Sequence, residues 1–534
     1  MAQSYWRVWR LFIALALLAA TGASAAATDL RAIGERIYRD GVLPSGKPVR
    51  AVQANGTPMA PGFVACIGCH RRSAMGCMEG TMQVPPLIRE VLGRSGVESA
   101  QGFGNNFRRL LVRPAYDDAS LAKAIRHGID SAGQPLVAPM PRYQLANREM
   151  AALIAYLKSL GKGRGPGISD DEIHLATIVG EGVPEAAGRA MREVLQAYVD
   201  DRNAGSRTTS RQNADGEWII TPRRRWRLHV WDLSGPPATW PAQLETHYRR
   251  QPVFAVMGGI AAGAWQPIQE YCERQELPCY FPSTDLPGPD TGQYSLYLSA
   301  GVTLSAEALA QYLADNPPAR PVLQVVDSVA GNRAAAAALS AALARNGLPP
   351  PEDHRLEGAP DAAFWEGVLR GSSSRSVVIW LDRPDVGQLR PWLARIERVV
   401  MPSPAAPDLP AVPEGFAGKL MTVHPFVLPN QKEARFARLR SWLKAKGLPH
   451  DHERVRADAY FAAHTTGIAL AAIGENFSRD YFLEQLENLP EYVASMSLHP
   501  RVSFGPGQRY AAKGAYVLTL GDNGPPTING WFVP

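Results

Sequence analysis

Cys66-Ile67-Gly68-Cys69-His70 places two thiols three positions apart, with an imidazole directly behind the second. That spacing lets both sulfurs add to the vinyl groups of one porphyrin while the histidine is held under the ring, within reach of the iron. The same five residues also suit a redox dithiol or half of a tetrahedral zinc site. The chain contains no second C-x-x-C pair to complete a zinc site. The flanking residues also lack the strand–helix context of a dithiol oxidoreductase. The expectation is one covalent haem c, with much of the chemistry supplied by the cofactor.

Export is the first requirement of that chemistry. Residues 1–27 carry Arg7 and Arg10, an apolar run from Leu11 to Ala20, and Ala23-Ser24-Ala25 as an A-x-A cleavage site. These are the three regions of a secretory signal, and the run is too short to span a bilayer; a retained anchor is the alternative. No later segment approaches the roughly twenty continuous apolar residues of a membrane helix. The mature chain is therefore expected in the periplasm or secreted, without a membrane span. In an oxidising compartment Cys272 and Cys279 are expected to form a disulfide closing a short loop, with two separate buried thiols as the alternative. Cys77, the fifth cysteine, has no assigned role.

A chain of 534 residues exceeds one ordinary core, so two or three domains are expected. Gly161-Lys162-Gly163-Arg164-Gly165-Pro166-Gly167 reads as the heart of a linker over 161–169, separating residues 28–160 from residues 170–534. Charge divides at the same place. Residues 28–163 hold 18 Lys plus Arg against 10 Asp plus Glu, and the chain beyond position 163 is acidic by four although the whole is +6. The arginines are scattered and the chain is exported, which argues against a nucleic-acid partner. Some arginines would neutralise haem propionates and others would steer an acidic redox partner.

Ahead of the motif, Leu30, Ile33 and Ile37 recur at helical spacing, with Gly34 and Tyr38 forming G-x-x-x-Y. Behind it, Asp117-Asp118 caps a helix carrying Leu121, Ala124 and Ile125 and ending at Gly128. Met150, Leu153, Ile154 and Leu157 mark the apolar face of a last helix, with Asn147 as its cap. With Val137-Ala138-Pro139-Met140-Pro141-Arg142-Tyr143 as an M-P-x-Y segment, residues 29–160 resemble a class I c-type cytochrome. The resemblance implies an all-α domain in which Cys66 and Cys69 hold the haem and His70 and Met140 ligate its iron. It also implies that a carbonyl at Pro85-Pro86, assigned to Pro86, orients His70, and that Tyr143 belongs to the sixth-ligand segment. Prolines on both sides keep Met140 extended, so its thioether can be presented to the iron, where it favours the ferrous state. Met75, Met78 and His127 are alternative ligands. Residues 42–62 are rich in proline and glycine and read as a loop inserted before the motif.

After the linker, apolar runs at 175–179, 228–231, 253–257, 322–326 and 377–381 alternate with amphipathic segments such as 305–313 and 334–344. Strands buried on both faces and separated by helices point to doubly wound α/β units, here in two lobes. This region resembles a type I periplasmic solute-binding protein of the branched-chain amino-acid-binding group. Ala187–Asn203 stands in the place of its first helix, and Val256-Met257-Gly258-Gly259 at its strand end and glycine turn. The resemblance implies a ligand cleft between lobes at the carboxyl ends of strands, where Gly180, Glu181, Gly258, Gly259, Ser283, Thr284, Asp327 and Asp382 stand. Turn glycines and helix-capping aspartates are the plainer reading of the same residues. His450-Asp451-His452 suits a metal or an exposed loop. Ser503–Tyr510, with its G-P-G-Q-R run, carries no assignment. No G-x-S-x-G elbow, H-E-x-x-H or phosphate loop occurs, so no catalytic residue is expected.

The combined expectation is a multidomain chain: an all-α cytochrome c domain followed by a two-lobed α/β periplasmic-binding-protein-like domain. Its expected function is that of a monohaem cytochrome carrying electrons to or from a redox partner protein, with a domain appended to bind a small-molecule ligand or a partner. Two alternatives stay open. One is a solute-binding protein for uptake or sensing in which the haem reports redox state. The other is the haem subunit of a periplasmic dehydrogenase.

Overall fold

The computed structural model describes residues 29–534 apart from 80–81, 99–110, 137–138, 162–163, 206–207, 213–217, 359, 371–373, 383, 403–407, 506 and 523. The expected signal segment therefore lies outside the described residues. Two compact units divide the chain. The first comprises residues 1–164 with 212–219 and 475–481, and the second everything else.

The first unit holds helices α1 (29–40), α2 (Ile67–His70), α3 (Arg89–Leu92), α4 (Asp118–His127) and α5 (Asn147–Leu157). Ile37 and Tyr38 of α1 pack into one core with Leu153, Tyr156 and Leu157 of α5. The Tyr38 and Tyr156 rings lie 5.4 Å apart. Gly34 is the reason these helices can approach so closely: a Cβ there would fall on the Ala152 carbonyl. Asp117 caps α4 by accepting from the Ser120 N–H at 2.7 Å, and Gly128 closes it at φ +65°. Asn147, expected as a cap, is instead the first residue of α5. The cap position is Ala146, whose N–H is taken by Glu149 at 2.8 Å.

The unit is not all-α. Two-stranded antiparallel ribbons pair Arg50–Val52 with Arg142–Gln144, Cys77–Glu79 with Met82–Val84, and Gly96–Glu98 with Leu111–Arg113. The segment 42–62 read as loop contributes the first of these strands. Val49 and Ala51 point into the core, so pairing with 142–144 satisfies backbone groups that burial would otherwise leave without water.

In the second unit the first sheet is parallel throughout. Its strands are β1 (Glu172–Val179), β2 (Arg225–Asp232), β3 (Ala255–Met257), β4 (Cys279–Tyr280) and β5 (Ser295–Leu296), in the order β2-β1-β3-β4-β5. Helices α6 (Glu185–Ala204), α7 (Trp240–Arg250) and α8 (Gln266–Arg274) follow β1, β2 and β3. Each strand–helix–strand step returns the chain in parallel, which buries β1 and β3 on both faces and explains their unbroken apolar runs.

The second sheet repeats that order. Strands β6 (Leu323–Val326), β7 (Glu352–Arg355), β8 (Arg375–Trp380), β9 (Ile396–Val400) and β10 (Leu420–His424) run β7-β6-β8-β9-β10 in parallel. Antiparallel β11 (Ala515–Thr519) and β12 (Thr527–Phe532) extend its edge. Helices α9 (Val302–Asp315) and α10 (Ala330–Arg345) cover one face, and α11 (Ala362–Leu369) lies on the other. Three segments join the lobes: the chain from β5 into α9, the chain from α12 (Pro429–Ala445) into α13 (Glu453–Ile473), and the chain entering β11. The first and third are laced together, since Tyr297 donates to the Arg509 carbonyl at 2.8 Å and accepts from Ala511 at 3.0 Å. Helix α13 packs on α6 and so belongs to the first lobe. Among the described residues no helix is long and apolar enough to cross a membrane.

Replacing Gly34 with valine should destabilise the first unit by about 1–3 kcal/mol, the usual penalty for forcing atoms into a packed contact. A denaturant titration followed by circular dichroism should show an earlier first transition, with the second unit's transition unmoved.

Candidate functional site

Strand β4 stops at Tyr280, and the residues just past it supply the polar groups at the carboxyl end of the first sheet. Ser283 extends the ladder by donating its N–H to the Gly259 carbonyl at 2.8 Å. Asp285 accepts from Arg454 Nη1 at 2.6 Å, and the Thr284 carbonyl from Nη2 at 3.3 Å. One turn along α13, the Asp458 carboxylate lies 3.7 Å from Arg454 Nε and is hydrogen-bonded to the Ser283 side chain. From the other lobe, the ring of Phe426, two residues past β10, lies under the same guanidinium with its centroid 5.7 Å away. The carboxyl ends of both sheets thus converge on Arg454.

Burial pushes the Asp458 carboxyl up to about 6, although Arg454 and Ser283 draw it down. His424 and His499 flank Phe426, with ring centroids 5.6 and 5.2 Å from it. Burial lowers both imidazoles to about 4. Each is held neutral, donating to a backbone carbonyl: His499 to Pro425 at 3.0 Å, His424 to Val427 at 3.2 Å.

The residues expected in the cleft divide into two groups. Ser283 and Thr284 are nine-tenths buried beside Arg454. The others serve the fold. Gly258 and Gly259 take φ +65° and +119°, and a Cβ on Gly259 would come within 2.5 Å of Trp265. Gly180 presses against Ala261, and Glu181 accepts the Gly235 N–H at 3.1 Å. Asp327 receives the Val329 N–H at 2.9 Å on one oxygen and the Asp382 N–H at 2.8 Å on the other, clasping the ends of β6 and β8. His450 and His452 are exposed. Sequence reasoning missed Arg454, Asp458, Asp285 and Phe426. The available signal was an Arg/Asp pair at i, i+4 on a helix face otherwise made of Ala457 and Phe461.

In the first unit, α2 carries His70 inward, 6% exposed, where its Nδ1–H donates to the Pro85 carbonyl at 3.0 Å. The cytochrome resemblance assigns that carbonyl to Pro86. The chain turns one residue earlier, and Pro85 faces the ring. Burial lowers the imidazole to about 4, so it is neutral with Nε2 as the lone-pair nitrogen. Burial also pushes the Cys66 thiol up to about 11, and the Tyr143 hydroxyl is bonded to its sulfur. Such a thiol stays protonated, unlike that of a redox dithiol. Cys69 is exposed, and Cys77 donates to its carbonyl at 3.3 Å, which ties down the following loop. Met140 is half-buried in the core that includes Cys66. Met75 instead accepts from the Asn476 amide at 3.0 Å, while Met78 and His127 are exposed.

A sequence profile described as periplasmic binding protein matches residues 180–525, well over half of the chain. The chain belongs to the periplasmic binding protein family. No curated protein matches the sequence. Among solved structures, a branched-chain amino acid ABC transporter protein from Thermus thermophilus with bound valine is 14% identical, with a TM-score of 0.51. The alignment covers 69% of this chain and 98% of that one. A solute-binding protein from Rhodopseudomonas palustris BisB5 in complex with 3,4-dihydroxybenzoic acid is 15% identical over 68% of this chain and 97% of its own, with a TM-score of 0.48. At such identities the likeness is one of fold, and with the family match it gives the type I, two-lobed periplasmic-binding-protein-like fold.

Membership of this family corrects the expectation of an electron-carrying cytochrome. What the family and its structural neighbours share is a solute-binding fold over some two thirds of the chain. They lend no support to cytochrome, haem or iron, and the expected redox partner loses its basis with the carrier. Among the described residues no group of three or more His, Cys, Asp and Glu side chains is placed to hold a metal ion. The expected disulfide is also corrected: no bridge joins Cys272 and Cys279. Both thiols fill one apolar core with Val256, Trp265 and Leu277, where cysteine acts as a small hydrophobe.

The buried groups of this binding protein give its stability a signed pH dependence. Asp458, raised from 3.8 to about 6, binds its proton more tightly folded than unfolded, so its contribution falls as pH rises through that window. His424 and His499, lowered from 6.5 to about 4, act oppositely and cost stability as pH falls from 6.5. In Asp458→Asn the opposing slope is gone. The melting temperature of the second unit should then climb more steeply with pH between 4 and 6 than in the parent. Parallel curves would rule out the Asp458 assignment.

Proposed function

We propose that this chain is an exported solute-binding protein, serving uptake or sensing, that closes two lobes around a small polar molecule. The observation that carries the reading is the convergence of both sheets' carboxyl ends on Arg454, with the Thr284 carbonyl on its guanidinium and the Ser283 side chain on Asp458. In doubly wound sheets that edge is where ligands bind, because strand order reverses there and opens a crevice. Three connections, two of them laced together, permit hinge closure while preventing the lobes from separating. The alternation of hydroxyls, one guanidinium and neutral imidazoles suits hydrogen-bonded recognition, and no side chain is assigned a catalytic step. Export by the signal at residues 1–27 gives the periplasm as its compartment.

The test uses the full chain and a panel of amino acids, organic acids, aromatic acids and sugars. A cognate solute should raise the melting temperature saturably. The double variant Ser283→Ala, Thr284→Val should weaken its binding by about tenfold or more, as expected when buried polar contacts to a ligand are lost. A flat response to every class would remove the solute-binding reading.

The first unit keeps its own part in this proposal, as the carrier of a covalent haem c that reports redox state. The residues fit such a group: Cys66 and Cys69 supply two thiols at thioether spacing, and His70 is buried, neutral and oriented by Pro85. Met140 would hold the iron together with His70, since Asn476 holds Met75 and Met78 is exposed. When bound, the group supplies a one-electron ferric–ferrous couple. The chain's residues fix the tautomer of His70 and pack Cys66 and Met140 into one core. Exported protein should retain haem absorbance after denaturing electrophoresis, and Cys66→Ala with Cys69→Ala should lose it without moving the second unit's melting temperature. Colourless exported protein would end the haem proposal and leave the solute-binding one intact.

A further inference from the structure

A cavity of about 420 Å³ lies in the second unit, walled by Phe461, Phe504, Leu489, Val502, Glu487 and Glu491. Its size falls within the range of about 300–1,000 Å³ common to small-ligand sites. We propose that it is a second ligand site, for a small ammonium compound with an aromatic or branched apolar body.

Ser503 and Phe504, which the cleft does not use, contribute to the wall, and Arg509 further along the chain is tied down. Arg509 is buried; its Nη2 meets Glu487 at 2.6 Å and its Nη1 the Gln293 carbonyl at 2.9 Å. Its own N–H donates to Asp290 at 2.9 Å. A preformed wall lowers the ordering cost of binding. Arg509 also neutralises Glu487. Glu491 is exposed and makes no ion pair among the described residues, so it brings one uncompensated negative charge to the rim of a cavity that Phe461 and Phe504 also line. Carboxylate and aromatic faces together select a cation with an apolar body over an anion or a neutral polar solute.

A strained residue stands behind those rings. Phe281, the first residue past β4, is fully buried at φ +55°, a conformation that costs a non-glycine residue about 1–3 kcal/mol. Its ring meets Phe461 at 5.2 Å and Phe504 at 6.0 Å. The site therefore shares its aromatic wall with the strand end that presents Ser283.

The inference does not rest on the solute-binding reading of the cleft. Phenethylamine titrated into the full chain, followed by calorimetry and thermal melting, should bind saturably, whereas 2-phenylethanol, its neutral analogue, should bind at least about tenfold more weakly. Glu491→Gln, a surface substitution compatible with folding, should weaken phenethylamine by about the same factor. Ser283→Ala should leave it unchanged. Absence of saturable binding, equal binding of the two compounds, an unaffected Glu491→Gln, or loss of binding in Ser283→Ala would each overturn the proposal.

Discussion

A guanidinium taken out of water must be met by carboxylates, and the way Arg454 meets that demand organises the binding unit. Asp285 comes from the end of β4, Asp458 from the next turn of α13, and Phe426 from the second lobe. Asp458 is the buried one of the two carboxylates, and burial raises its carboxyl even though Arg454 and Ser283 favour its charged form. Losing Arg454 would leave the Asp458 carboxyl buried without its cation. The position of the β4 loop relative to α13 is therefore tightly specified. Ser283, bonded to Asp458, inherits that precision.

Topology does the rest of the positioning. Each lobe follows the same course, second strand outside the first and then three strands on the other side. Chain direction reverses its lateral travel between β1 and β3, and again between β6 and β8. At the first reversal Gly258 and Gly259 turn the chain in conformations that side chains resist. At the second, Asp327 clasps the backbone past β8. Neither device need touch a ligand. They hold the crevice edges in place, which is why turn and capping residues occupy positions that also line the edge.

Most of this fold was legible. Runs rich in valine and isoleucine mark β1, β3, β6 and β8 because parallel strands bury both faces, and the amphipathic runs mark α6, α9 and α10. The strands β9 and β12 escaped because an arginine or a glycine interrupts their pattern. The site was less legible, since Arg454 and Asp458 look like any exposed i, i+4 pair until α13 is known to be buried. Pro85 and Pro86 differ by one residue, and only the backbone trace chooses between them. The electron-carrier reading failed for another reason. The C-x-x-C-H run is locally specific, whereas function here follows the fold that makes up most of the chain.

Counted along the sequence, the basic surplus of residues 28–163 reads as steering for an acidic redox partner. The structure gives many of those arginines work inside the unit. Arg39 and Arg72 converge on Asp480, at 3.6 and 3.0 Å. Arg126 donates to the Leu145 carbonyl at 3.0 Å and to Asn147 at 2.9 Å. Arg142 reaches the Met140 carbonyl at 3.0 Å, and Arg113 the Val91 carbonyl at 3.2 Å. Short helices joined by long connections leave many carbonyls without ladder partners, and a planar fork of five N–H donors satisfies several at once. Asp480 belongs to the segment 475–481 that this unit gathers from far along the sequence, so its charge was invisible to a count over residues 28–163. Asp480 adds one negative charge that the sequence count leaves out, and these arginines have partners within the unit without any external anion.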